Sequence, residues 1–291
     1  MPPVTPGIFA KTFVRPTVEE VFDAVARHPL RCVQFNFASA GLPTLPYELD
    51  PALLERIRRA AADRRLAIAA VSGTFNMIHP DAPYRRAGLR GLEALAAACA
   101  RLGAPVITLC TGTRDPDDMW RGHPGNDSEQ AWRDLHVTLT KALTIADKHG
   151  LILGIEPETG NVISSARHAR RLLDEMKSPR LKVVMDAANL FHPGDLPRMD
   201  RVLDEAFDLL GGDLVLAHAK ELSADGPPGN LAPGDGVLDW DRYLGLLRRS
   251  GFDGPLILHG VDEADAARSI RFLRERLEKL PARPRRRTAA N

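Results

Sequence analysis

Cysteine is scarce in this chain. It has three in 291 residues, Cys32, Cys99 and Cys110, and none forms a CxxC pair. An odd, sparse set argues against a disulfide scaffold and suits a reducing compartment. Aromatic residues are few as well, at 5%, so stacking platforms for single-stranded nucleic acid are lacking. Neither sign of charge dominates: 39 Lys and Arg face 38 Asp and Glu, for a net +1. That balance gives no whole-molecule attraction to polyanions, and no nucleic acid partner is expected. No stretch approaches the roughly 18 uninterrupted apolar residues of a membrane span, so no membrane partner is expected either. The opening MPPVTPG lacks a basic start and a long apolar run, which points to a cytoplasmic protein. GxGxxG after the first apolar run, GxxxxGK[ST] and HExxH are all absent, removing dinucleotide, P-loop and self-contained zinc-protease readings.

What is present is a regular alternation. Short apolar runs occupy 7–13, 31–37, 66–74, 105–113, 151–158, 181–190, 214–222 and 255–260. They are rich in Val, Ile and Leu with little alternation, as strands buried on both faces read. Segments of helical spacing lie between them, at 17–28, 50–64, 85–102, 128–149, 165–177, 198–210, 240–250 and 264–279. Thr17 with Glu20 reads as a capping box. Asp50-Pro51 reads as an N-cap followed by an N1 proline. Gly103 and Gly150 read as helix stops. Eight strand–helix units predict an α/β fold, a single (β/α)8 TIM barrel over residues 1–280, rather than an open doubly wound sheet. The remainder, 281–291, holds four arginines and reads as a solvated, disordered basic tail. Without it, residues 1–280 are slightly acidic.

In such a barrel the chemistry sits where strands end and loops lead to helices. Polar residues gather at those places: Asn76 and His79 after run three; Arg114, Arg121, His123 and Asn126 after run four; Glu156, Glu158 and Asn161 after run five. Asp186, Asn189 and His192 belong to run six, His218, Lys220 and Glu221 to run seven, and His259 to run eight. His28, His136, His149 and His168 fall in helices and read as surface or satisfied residues.

The sharpest constellation is Glu156, Asp186 and His218, at the ends of three successive strands. Neighbouring strands lie roughly 5 Å apart, so three such side chains can converge on one cation. Two carboxylates and an imidazole suit one divalent ion: Mn, Mg, Co or Zn. The competing reading is a buried salt-bridge network with Lys220 and Arg114. Glu158 reads as a substrate-hydroxyl group or a rim charge; Asn161 and Asn189 as hydroxyl binders or turn residues. Lys220, Arg114 and Arg121 can meet a phosphate or carboxylate, or be ion-paired structurally. The glycine-dense stretch 231–240 reads as a lid ending in an Asp239 N-cap.

Seven segments together resemble the sugar phosphate isomerase/epimerase superfamily, the xylose isomerase-like TIM barrels. They are TFNMIHPD from Thr74, LCTGTRD from Leu109, GIEPE from Gly154, MDAANL from Met185, HAK from His218, PGDG from Pro233 and PLILH from Pro255. The group includes ketose 3-epimerases, hydroxypyruvate isomerase, inosose dehydratase and the endonuclease IV type of repair enzyme. The resemblance implies a divalent metal held by Glu156, Asp186 and His218. The family's fourth ligand, commonly glutamate, is here His259, and Asn189 stands where a histidine is often found. His259 is therefore expected to be a nitrogen ligand or a substrate contact.

The implied activity is that of a metal-dependent isomerase or epimerase on a small polyhydroxylated substrate. Glu156 and His259 would be the acid–base pair beside an enediolate. His79, Arg114, Glu158, Asn189 and Lys220 would contact substrate. An inosose-type dehydratase and a non-catalytic sugar-binding barrel remain as alternatives. An endonuclease IV-like nuclease is disfavoured by the small number of histidines at the required strands. A homo-oligomer is left open.

Overall fold

A computed structural model describes residues 4–225 and 231–280; the basic tail lies outside the described residues. Eight strands alternate with eight helices. The order is β1 (Thr5–Phe9), α1 (Val18–Ala26), β2 (Cys32–Phe35), α2 (Pro51–Asp63), β3 (Ala67–Ser72), α3 (Ala82–Leu102), β4 (Val106–Leu109) and α4 (Glu129–His149). It continues with β5 (Ile152–Ile155), α5 (Ala166–Met176), β6 (Leu181–Asp186), α6 (Met199–Leu210), β7 (Leu214–Ala219), α7 (Trp240–Arg249), β8 (Pro255–Leu258) and α8 (Glu263–Lys279). All neighbouring strands pair in parallel, and β8 returns to β1 to close the barrel. No described helix is long and apolar enough to cross a membrane.

Local sequence explains most boundaries. Thr17 accepts a hydrogen bond from the Glu20 amide, and Asp50 from the Ala52 amide, so α1 and α2 start where those side chains satisfy free N–H groups. α3 and α4 stop at Gly103 and Gly150, whose φ values of 71° and 68° favour glycine. The strands end two to four residues before most of the apolar runs do, as at Asp186 in run 181–190. Past several strand ends buried apolar residues continue into the loop, as at Phe13, Cys110 and Leu190, so apolar character outlasts the sheet there.

Two apolar layers result. The larger lies between strands and helices. The smaller fills the barrel interior and contains Phe9, Cys32, Ala70, Val106, Val184, Leu216 and Ile257. Side chains two apart on a strand share a face. Counting by two from that interior layer reaches Lys11, Gln34, Ser72, Thr108, Asp186, His218 and His259; Gly154, by the same parity, leads to Glu156 and Glu158. All of these except Gly154 and Asp186 line a single cavity at the C-terminal end of the barrel. The register sets Asp186 directly opposite His218, and His218 opposite Ile257, two residues below His259.

Candidate metal centre

Four donor groups meet at this end of the barrel. One ligand atom each from Glu156, Asp186, His218 and His259 lies within 4.8 Å of all the others. His218 Nδ1 is 3.3 Å from Asp186 Oδ2 and 3.4 Å from Glu156 Oε1, and His259 Nδ1 is 3.7 Å from Asp186 Oδ2. Donors about 2.0–2.3 Å from a common ion are about 3–4.6 Å apart, which is the spacing seen.

Three of these atoms are orphaned. Asp186 Oδ2, His218 Nδ1 and His259 Nδ1 are buried and have no hydrogen-bond partner. Buried polar atoms are rarely left so, because each forfeits its hydration. A cation at their centre satisfies all three at once, and the residues therefore fit a metal.

The opposite edges of the same side chains are fastened. His218 Nε2 lies 2.9 Å from Gln34 Oε1. The Gln34 amide nitrogen donates to Ser72 Oγ and Thr108 Oγ1, at 3.2 and 3.0 Å. In this orientation Gln34 presents its oxygen to the ring, and His218 donates to it from Nε2. Nδ1 is then the free nitrogen that faces the carboxylates. Asp186 Oδ1 accepts from the Ala188 amide at 3.1 Å, leaving Oδ2 inward. The buried Tyr243 hydroxyl donates to the His218 carbonyl at 2.8 Å, fixing the backbone below. Asn189 donates to Glu156 Oε1 at 2.6 Å and accepts from Lys220 at 3.0 Å.

The electrostatics follow from this crowding. Burial alone would lower the His218 imidazole, but Glu156 and Asp186 outweigh it and hold the group at about 9. Burial would raise the Asp186 carboxyl, yet Lys220 and His218 keep it well below its ordinary range. Burial is the main reason that His259 falls below its usual value, with the His218 charge adding to it. Glu158 is pushed up to about 7, by burial first and the Glu156 charge second. Two carboxylates that favour a proton on His218 offer the same field to a metal ion, whose binding would displace that proton.

The cavity has a volume of about 160 Å³, the scale of a small molecule. Beyond the cluster it is lined by Phe9, Lys11, Asn36, Thr44, Thr74, Trp120, Glu158, Asn189 and Lys220, among others. Glu158 is held by Asn161, which donates to it at 3.1 Å.

Two of the residues expected to contact substrate lie apart. His79 uses both ring nitrogens locally, facing the Pro116 carbonyl and the Asp81 amide, and stacks on Tyr84. Arg114 is tied to Asp134 and to the Ile78 carbonyl, so it serves no salt-bridge network with Glu156. His123 accepts from the Gly125 amide within its own loop, and His192 Nε2 meets the Ser164 carbonyl in the loop after β5. Asp239 does cap α7, through the Arg242 amide at 2.9 Å. The stretch expected to be a lid is pinned instead. Buried Glu221 accepts from the amides of Leu222, Gly234 and Leu238 and from the Trp240 indole, and no described residue of 231–239 lines the cavity.

Residues 22–276 match the model of the xylose isomerase-like TIM barrel family. Among solved structures, 3-keto-D-glucoside 4-epimerase from E. coli is similar at 18% identity and TM-score 0.72, over 94% of this chain and 99% of that one. D-psicose 3-epimerase from Clostridium cellulolyticum H10, solved with D-tagatose, is similar at 15% identity and TM-score 0.73, over 94% and 99%. The IOLI protein, solved with a bound zinc atom, is similar at 15% identity and TM-score 0.72, over 94% and 96%. At these identities the likeness is one of fold.

Proposed function

The chain belongs to the xylose isomerase-like TIM barrel family, and on that premise we propose that it is a divalent metal-dependent isomerase or epimerase of a small sugar or sugar derivative. The reaction is proton abstraction next to a carbonyl, through an enediolate. The observation that carries this reading is the convergence of Glu156, Asp186, His218 and His259, with three of their polar atoms buried and unpartnered. Sugar epimerases among the proteins of similar fold are in keeping with it.

Glu156, Asp186, His218 and His259 would hold the ion, and two nitrogen donors favour zinc or cobalt over magnesium. When bound, the ion supplies positive charge against the developing enediolate oxygens. Glu156 is the base: its carboxylate lines the cavity, and Asn189 holds one oxygen in place. A second acid–base group is needed to return the proton, and two side chains offer one. Glu158 is one: burial raises its carboxyl toward the range in which it can both give and take a proton. His259 is the other, through the ring nitrogen that does not face the ion. Asn189 and Lys220 orient substrate oxygens, while Phe9 and Trp120 wall the space against water.

The test is exchange in D₂O. Protein supplied with Mn²⁺, Co²⁺ or Zn²⁺ is incubated with a panel of ketoses, aldoses and their oxidised derivatives and followed by NMR. At least one sugar should take up deuterium beside its carbonyl and form its isomer. Glu156→Gln should slow this by roughly 10²–10⁴-fold. Unchanged turnover in Glu156→Gln would sink the mechanism.

A further inference from the structure

We propose that the substrate carries an anionic group, carboxylate or phosphate, that is bound between Lys11 and Lys220. The inference rests on the function proposed above and narrows its substrate class.

Lys11 and Lys220 both line the cavity of the metal cluster. Lys11 follows β1 with the inward parity of Phe9, and its ammonium stands 4.6 Å over the Phe9 ring. Lys220 follows β7 with the parity of His218, and its ammonium donates to Asn189. Neither makes an ion pair among the described residues. The other cations near this end are spent: Arg85 and Arg114 on Asp134, Arg121 on Asp115 and Asp118. Lys220 is half-buried and Lys11 is exposed at the mouth of the cavity. Two ammonium groups brought to one cavity, with no carboxylate at ion-pair distance among the described residues, repel each other, a cost that a bound anion offsets.

The charge balance points the same way. Glu156, Glu158 and Asp186 bring at most three negative charges to the site. A divalent ion with the two lysines brings more positive charge than that, even with every carboxylate ionised. With its metal bound the cavity therefore has an uncompensated positive charge, and a neutral sugar leaves it so. Lysine suits this task as a mobile point charge, where arginine would impose a bidentate plane.

The experiment is calorimetric binding of D-glucose, D-glucuronate and D-glucose 6-phosphate to metal-supplied protein at low ionic strength. Metal stoichiometry is measured on the same samples. At least one of the two acids should bind roughly 10-fold or more tighter than glucose, and which acid leads identifies carboxylate or phosphate as the group. Lys11→Met should abolish that preference and leave metal binding intact, while Lys11→Arg restores part of it. Equal binding of all three sugars, no binding of either acid, or a preference that survives Lys11→Met would overturn the inference while leaving the metal reading standing. Absence of metal binding, unaltered by Asp186→Asn, would overturn the function beneath it and this inference together.

Discussion

His218 meets Gln34 at 2.9 Å through Nε2, although the two residues are 184 positions apart in the chain. That contact decides which imidazole nitrogen faces Glu156 and Asp186. Replacing Gln34 with Leu removes the acceptor while keeping much of the volume, so the neutral His218 ring can keep its single proton on the inward nitrogen that a metal needs. The affinity for Zn²⁺ or Mn²⁺ should fall roughly 10–100-fold, measured by competition with a chelating dye. Circular dichroism should remain that of the parent. An unchanged metal affinity would show that Gln34 only fills space.

Glu221 is wholly buried and serves four donors from residues 222–240. Glu221→Ala leaves those donors without a partner in a dry site. Each orphan costs about 1–3 kcal/mol when nothing replaces its bond, and relaxation recovers some of that. Urea denaturation should register a loss of roughly 3 kcal/mol. Limited proteolysis should cut within 231–239 much faster than in the parent.

Asp213 joins β6 to α5, bonding Lys182 at 2.7 Å and Arg170 at 2.8 Å. Partial burial acts to raise its carboxyl, but Lys182 and Arg170 outweigh that and hold it below the ordinary 3.8. A carboxyl lowered on folding adds stability that is fully present above its unfolded value and is lost as pH falls through the folded one. Asp213→Asn should therefore cost about 0.5–1 kcal/mol at pH 7. The gap between parent and variant should shrink as pH drops below about 3.8, as thermal melts across pH 2–7 would record. A constant gap over that range would assign the effect to packing.

The three cysteines are buried and unpaired. Burial pushes Cys32 and Cys99 up to about 12, and raises Cys110 as well. With so little thiolate at neutral pH, native protein should react with Ellman's reagent far more slowly than a free thiol. Three equivalents should titrate in guanidinium. Rapid labelling of the native state at Cys32 would mean that the barrel interior opens readily.

Much of the fold was legible because its signals are local. Thr17, Asp50, Gly103 and Gly150 mark helix ends by side-chain caps and backbone freedom, which depend only on near neighbours. Run counting located all eight strands, yet placed their ends too late, because loop residues such as Cys110 are as buried as strand residues. Glu156, Asp186 and His218 were legible as a group from their positions at strand ends, and His259 joined them through the family resemblance. Gln34, Ser72, Thr108, Lys11 and Phe9 were not singled out, although a signal existed: each has the inward parity of its strand. A glutamine inside the apolar run 31–37 is the clearest of these. His79 and Arg114 misled for the converse reason. Their loops lie at the right end of the barrel, but local partners claim their polar atoms first.

The sequence alone determined the order of eight strand–helix units, the helix ends and the supply of carboxylates and imidazoles at one end. Those follow from periodicity, caps and parity, all short-range properties of the chain. Only the tertiary structure decided which of these groups meet. Closing β8 onto β1 carries Lys11 and Gln34 to the side of His218 and His259, and strand register sets Asp186 opposite His218. Closure and register are sums over the whole barrel, so no local stretch encodes them. They turn scattered polar residues into a cluster with unsatisfied atoms facing one point.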